Sequence, residues 1–156
     1  QMEPAYYWFN ARPGRETFAE NVRKTWGAES PDETPALWKT LSPALNVDRI
    51  QAPILMQFPE QEARLSIELV SRLATARKGE THIFPYAPHI KVEPRQKLAA
   101  YERNLDWFRF WLKGETDPDP AKAGQYQRWS KLGPNPVADS TARTHRSTSP
   151  ISIKRK

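Results

Sequence analysis

Residues 52–89 constrain the chain most. Behind Pro53, the apolar run Ile54, Leu55, Met56 reads as a short strand. A turn follows that holds two carboxylates, Glu60 and Glu62. Leu65, Leu69 and Leu73 then recur at four-residue spacing, which places them on one helix face. Gly79 ends that helix in this reading, and Thr81, His82, Ile83 and Phe84 begin a second strand. Pro85, Tyr86, Ala87 and Pro88 turn the chain and present His89. An acid after one strand and a histidine after the next is the second half of a Ser-His-Asp/Glu arrangement on an open α/β sheet.

The flanking segments read mostly as helices. Tyr6, Tyr7, Trp8 and Phe9 crowd the first fourteen residues. They suit either a substrate-facing patch or, the favoured reading, packing against a part of the fold outside this chain. Residues 15–26 suit a helix with Phe18, Val22 and Trp26 on one face, stopped by Gly27. Residues 29–35 form a polar, proline-rich loop, and residues 36–41 a helical turn carrying Trp38. From Gln96 onward Leu98, Tyr101, Leu105, Phe108 and Leu112 recur at helical spacing, beside Trp107 and Trp111. This aromatic stripe is expected to pack in the core, and Lys113-Gly114 closes the helix. Residues 121–132 suit a short amphipathic helix with Tyr126 and Trp129.

Charge excludes little by itself. The net charge is +6, yet residues 134–156 hold Arg143, Arg146, Lys154, Arg155 and Lys156 against Asp139 alone. That basic tail, rich in Ser, Thr and Pro, is expected to be disordered. The body is therefore close to neutral, and nucleic acid is not an expected partner. With 15 prolines and a mean hydropathy of −0.79, the chain suits one modest core plus irregular segments. It has no cysteine, so disulfides and thiolate metal sites are excluded. No apolar run approaches the roughly 20 residues a membrane span needs, so no membrane partner is expected.

Several stretches together resemble a known family. Trp38 and residues 41–50, the strand run Ala52, Pro53, Ile54, Leu55, Met56, Gln57, and Phe84-Pro85 followed by His89 resemble the prolyl oligopeptidase family of serine peptidases. Within it, His89-Ile90-Lys91 and residues 101–112 look most like the lasso-peptide isopeptidases. The resemblance covers about residues 38–132. It implies a fold and a division: residues 1–133 as the C-terminal portion of an α/β-hydrolase domain, a parallel sheet with flanking helices. It implies a peptide substrate, of lasso type at the finer level, and no metal or organic cofactor. His89 would be the general base, with Glu60 the first choice for its acid and Glu62 the second.

Two departures from the family pattern qualify what the resemblance implies. The family nucleophile sits in Gly-x-Ser-x-Gly, and Ser30, Ser42, Ser66, Ser71 and Ser130 all lack the flanking glycines. The serine is expected upstream of Gln1, in a part of the same domain that would be this chain's partner. The usual acid turn, His-Gly-x-x-Asp, is replaced by Gln57-Phe58-Pro59-Glu60-Gln61-Glu62. A glutamate can fill the role, since the acid orients the imidazole and stabilises its cation. The alternative is a truncated, inactive copy acting at most as a binding or assembly piece.

Each candidate also has a plainer reading. Without the resemblance, His89 would be a surface-loop histidine. Glu60 and Glu62 suit the first turn of any helix, where they favour its dipole. His82, alternating within a strand, reads as structural. Lys91 and Arg95 read as a solvated loop sooner than as substrate ligands. His82, His89 and the glutamates match no metal-ligand spacing. An isolated chain of this kind is expected to expose a strand edge and apolar helix faces, and to be marginally stable or prone to aggregate.

Overall fold

The computed structural model describes residues 2–133. In chain order the elements are α1 (Pro4–Asn10), α2 (Glu16–Trp26), α3 (Pro35–Leu41), a 3-10 segment (Pro43–Arg49), β1 (Ile54–Pro59), α4 (Glu60–Leu65) and α5 (Ile67–Thr75). Then come β2 (Gly79–Phe84), α6 (Pro94–Lys113), a 3-10 turn (Pro120–Lys122) and α7 (Ala123–Trp129). The basic tail, residues 134–156, lies outside the described residues.

Alternation along β1 decides how the sheet is covered. Strand side chains point to opposite faces in turn. Ile54, Met56 and Phe58 face one way and join Val47, Leu69, Val70 and Leu73. Leu55 and Gln57 face the other way. Leu55 packs on the cluster formed by α6 and α7. The Gln57 amide donates to the Ala100 carbonyl (3.0 Å) and to Asn104 Oδ1 (2.8 Å), both on α6. Helices thus cover both faces, as a parallel sheet requires. β1 and β2 pair in parallel, with Ile54 opposite Gly79 and Pro59 opposite Phe84. Among the described residues the sheet has two strands.

The crossover between the strands differs from the sequence reading in two ways. The single helix expected through Leu65, Leu69 and Leu73 is broken at Ser66, which takes φ −106° and ψ 15°. The helix also ends at Thr75, before Gly79. Arg77 reverses the chain with a φ of 53°, and its carbonyl accepts the Gly133 N–H at 2.9 Å. Gly79 opens β2 for a different reason. A Cβ there would stand 2.9 Å from Leu73 Cβ, so glycine allows β2 to lie against α5.

The long helix α6 is bounded as its sequence suggests. Glu93 accepts the amides of Arg95 (3.1 Å) and Gln96 (2.6 Å), and Gly114 closes the far end with a φ of 70°. Only part of the stripe expected in the core is buried. Leu98, Tyr101, Leu105, Phe108 and Leu112 are 52–73% exposed. Trp107, Phe110 and Trp111 are buried instead, with Tyr126, Trp129 and Leu132. The helix carries two apolar stripes, and α7 covers the aromatic one, whose larger rings bury more area. Trp107 and Trp129 meet edge to face at 5.0 Å. Lys122 fixes this corner through Asp106 (3.0 Å) and Asp117 (2.8 Å).

The first three helices form their own cluster around Tyr7, Val22, Ala28 and Trp38. The Trp38 indole donates to the Glu29 carbonyl at 2.8 Å. Of the crowded aromatics at the start, Tyr7 is buried, while Trp8 and Phe9 are about half exposed. On the α2 face, Val22 is buried and Trp26 is exposed. Glu3 and Glu68 tie this unit to α5.

Candidate active site

Both strands end at the same level, because Pro59 lies opposite Phe84 in the register. The loops that leave them therefore emerge side by side at the carboxyl end of the sheet, where open α/β folds bind ligands. After β1 there is no loose turn. Pro59 caps α4 directly, so Glu60 and Glu62 occupy its first turn. Carboxylates there are favoured by the helix dipole. After β2, Pro85 and Tyr86 reverse the chain, and Gln96 of α6 holds the turn by donating to the Pro85 carbonyl at 3.2 Å. His89 follows on the exposed loop.

The structure brings one of the two glutamates to the histidine. Glu62 Oε1 is hydrogen-bonded to His89 Nδ1. Glu60 instead pairs with Arg64 at 2.9 Å, one turn along α4. With Nδ1 engaged, Nε2 is the ring nitrogen left to accept or deliver a proton. The Glu62 carboxyl is about one-third exposed and the imidazole is largely exposed. Beside the pair lies an open cavity of about 610 Å³, lined by Pro59, Glu60, Glu62, Arg64, Tyr86 and His89.

The other polar candidates sit elsewhere. His82 packs edge-on against Phe84 at 4.6 Å within β2. Burial holds its imidazole below the usual range, and the nearby Arg103 charge adds to this. Lys91 lies over the Phe84 ring at 4.9 Å, a packing contact. Arg95 is exposed in the first turn of α6. Among the described residues no group of three or more His, Cys, Asp or Glu is placed to hold a metal ion. Nor is any helix there long and apolar enough to cross a membrane. Sequence reasoning did not single out Arg64 or Tyr86, both of which line the cavity. The only signal for Tyr86 was its place after Pro85 in a turn.

No family model matches the chain. Over 112 residues, 70% of this chain, it is 39% identical to the lasso peptide isopeptidase AtxE2 of Asticcacaulis excentricus. The chain is homologous to a lasso peptide isopeptidase. Two solved structures of AtxE2 agree. One, a serine-to-alanine variant with astexin3-dC4 bound, superposes with a TM-score of 0.66 at 33% identity over 82% of this chain. The apo form gives 0.65 at 33% identity over 78%. The α/β layout described above is therefore part of an α/β-hydrolase-type fold. The chain spans 16% of the length of AtxE2 in the sequence match and 20% of the first solved chain.

Proposed function

We propose that this chain carries the acid and base of a serine-type peptidase of the prolyl oligopeptidase kind, acting on peptide or isopeptide bonds in lasso-type peptides. The observation that carries the reading is the Glu62–His89 pair at the carboxyl ends of two adjacent parallel strands. Homology to an isopeptidase supports the reaction class. The bound peptide in the homologous structure supports the substrate class.

In this reading His89 Nε2 takes the proton of a serine hydroxyl as the oxygen attacks the scissile carbonyl. The proton then passes to the departing amine, leaving an acyl-enzyme that water hydrolyses by the same relay. Glu62 holds the imidazole through Nδ1 and stabilises its cation. None of the 156 residues lies in a Gly-x-Ser-x-Gly segment, so the serine and the oxyanion donors would come from polypeptide beyond these residues.

A fluorophosphonate probe, which labels activated serines, tests this. The expected result is labelling of a polypeptide extended upstream to include a Gly-x-Ser-x-Gly segment, and loss of that labelling on His89→Ala. No labelling of the extended polypeptide would sink the peptidase reading. It would favour the second one, a non-catalytic copy that binds or assembles, which the altered acid turn supports.

A further inference from the structure

Tyr86 occupies a position that its own chemistry disfavours twice. Its φ is +56°, in the left-handed region that bulky residues rarely adopt. The turn explains why the angle is needed. Phe84 to Ala87 closes with the Ala87 amide on the Phe84 carbonyl (3.4 Å), with Pro85 second and a positive φ third. That is the pattern of a type II turn, whose third position calls for glycine or asparagine. Among the described residues the ring packs against nothing in return, since Tyr86 is 95% exposed.

The other described non-glycine residue with positive φ has a structural use. Arg77 (φ 53°) reverses the chain after α5, and its carbonyl is bonded to Gly133. Among the described residues Tyr86 has no comparable contact, and it lines the cavity shared by Glu62 and His89. Strain and exposure kept together beside paired titratable groups point to a residue retained for a ligand. From these observations we propose that Tyr86 is a substrate-positioning residue. Its ring forms a platform on which an aromatic side chain of a peptide stacks beside His89.

The chemistry of the rim fits that occupant. An aromatic pair gains attraction beyond the area it buries, and tyrosine loses few rotatable angles on stacking. The Pro85 ring fixes the turn before binding, and Gln96 and the buried Ala87 hold it from either side. The platform is therefore preorganised, which lowers the entropy cost of binding.

This inference deepens the peptidase reading, and its test separates the two. The isotope-labelled 156-residue chain is titrated with a linear acetylated hexapeptide carrying a central phenylalanine, and with its alanine counterpart. The phenylalanine peptide should bind more tightly and shift the amide signals of Glu62, Tyr86 and His89. Tyr86→Ala should weaken that binding on the order of tenfold, while Tyr86→Phe retains it. Tyr86→Gly should raise the melting temperature by relieving the turn, yet lose the same affinity. Equal binding by wild type and Tyr86→Ala, no preference for phenylalanine, or no perturbation by either peptide overturns the proposal. So does a lower melting temperature for Tyr86→Gly. Serine labelling without any Tyr86 effect leaves the peptidase reading standing alone. A Tyr86 effect without labelling leaves a peptide site and removes the catalytic reading.

Discussion

Glu3 and Glu68 cap each other's helices. The Ala5 amide, in the first turn of α1, donates to Glu68 Oε2 at 3.0 Å, and the Leu69 amide of α5 donates to Glu3 Oε2 at 3.3 Å. Each carboxylate satisfies a backbone donor that a helix start leaves unpaired. The exchange joins the N-terminal helical cluster to the layer against the sheet.

The cap has a cost that depends on pH. Burial raises the Glu3 pKa above its ordinary 4.5, and the neighbouring Glu68 charge adds to this against the opposing Leu69 hydrogen bond. The folded chain therefore holds its proton more tightly than the unfolded chain. That contribution is full below pH 4.5 and is lost as pH rises through the raised value. Glu3→Gln keeps an acceptor for Leu69 and removes the charge. It should flatten this part of the pH dependence in urea unfolding followed from pH 4 to 8. Glu3→Ala removes the acceptor and should cost about 1 kcal/mol. An unchanged pH profile in Glu3→Gln would show that another group sets it.

Gly79 gives a sharper steric prediction. Because an added Cβ would stand 2.9 Å from Leu73 Cβ, Gly79→Ala should cost about 1–3 kcal/mol. Leu73 is fully buried, and Leu73→Ala should cost about 2–5 kcal/mol through the cavity it leaves. The double variant should show no rescue, since alanine at 73 keeps the offending Cβ. Recovery of stability in the double variant, read from urea midpoints, would place the clash on the leucine branch instead.

The two glutamates of α4 separate cleanly in an active, extended polypeptide. Glu62→Gln removes the charge that faces His89 and should slow serine labelling on the order of 10³–10⁴-fold. Glu60→Gln breaks only an exposed pair with Arg64 and should change the rate by no more than about threefold. Reversed effects would move the acid to Glu60.

The exposed stripe of α6 should control association without controlling folding. Leu105 and Phe108 are 52% and 59% exposed, so Leu105→Glu with Phe108→Glu should shift unfolding by no more than about 0.5 kcal/mol. The same change should reduce self-association measured by sedimentation, because it breaks an apolar patch. Trp107→Ala, on the buried face, should cost about 3–5 kcal/mol. Sedimentation unchanged by the double glutamate variant would clear the stripe of any role in association.

The local pattern of the sequence carried much of this fold, and particular residues show where it stopped. β1, β2 and the turn before His89 were legible because the apolar run behind Pro53, the run Thr81, His82, Ile83, Phe84, and Pro85 are local signals. The end of α6 was legible from Lys113-Gly114. Which face of α6 is covered was not. Two apolar stripes share the helix, and only contact with Tyr126 and Trp129 selects between them. Which glutamate, Glu60 or Glu62, meets His89 was uncertain for a related reason. The sequence showed a turn after β1, whereas α4 begins at once, and its first turn carries Glu62 to the histidine. Tyr86 escaped notice because strain is a backbone angle, which no residue type declares.

The contact between Gly133 and Arg77 fixes where attachments belong. Arg77 precedes β2 and His89 follows it, so the last described residue sits at the far end of the strand from the histidine. Six strand residues separate the two ends by about 20 Å. A surface tether, affinity handle or fluorescent fusion joined directly to Gly133 would leave from the Arg77 end of β2, away from Glu62, Tyr86 and His89. An immobilised chain would then present the end that carries Glu62 and His89 to solution.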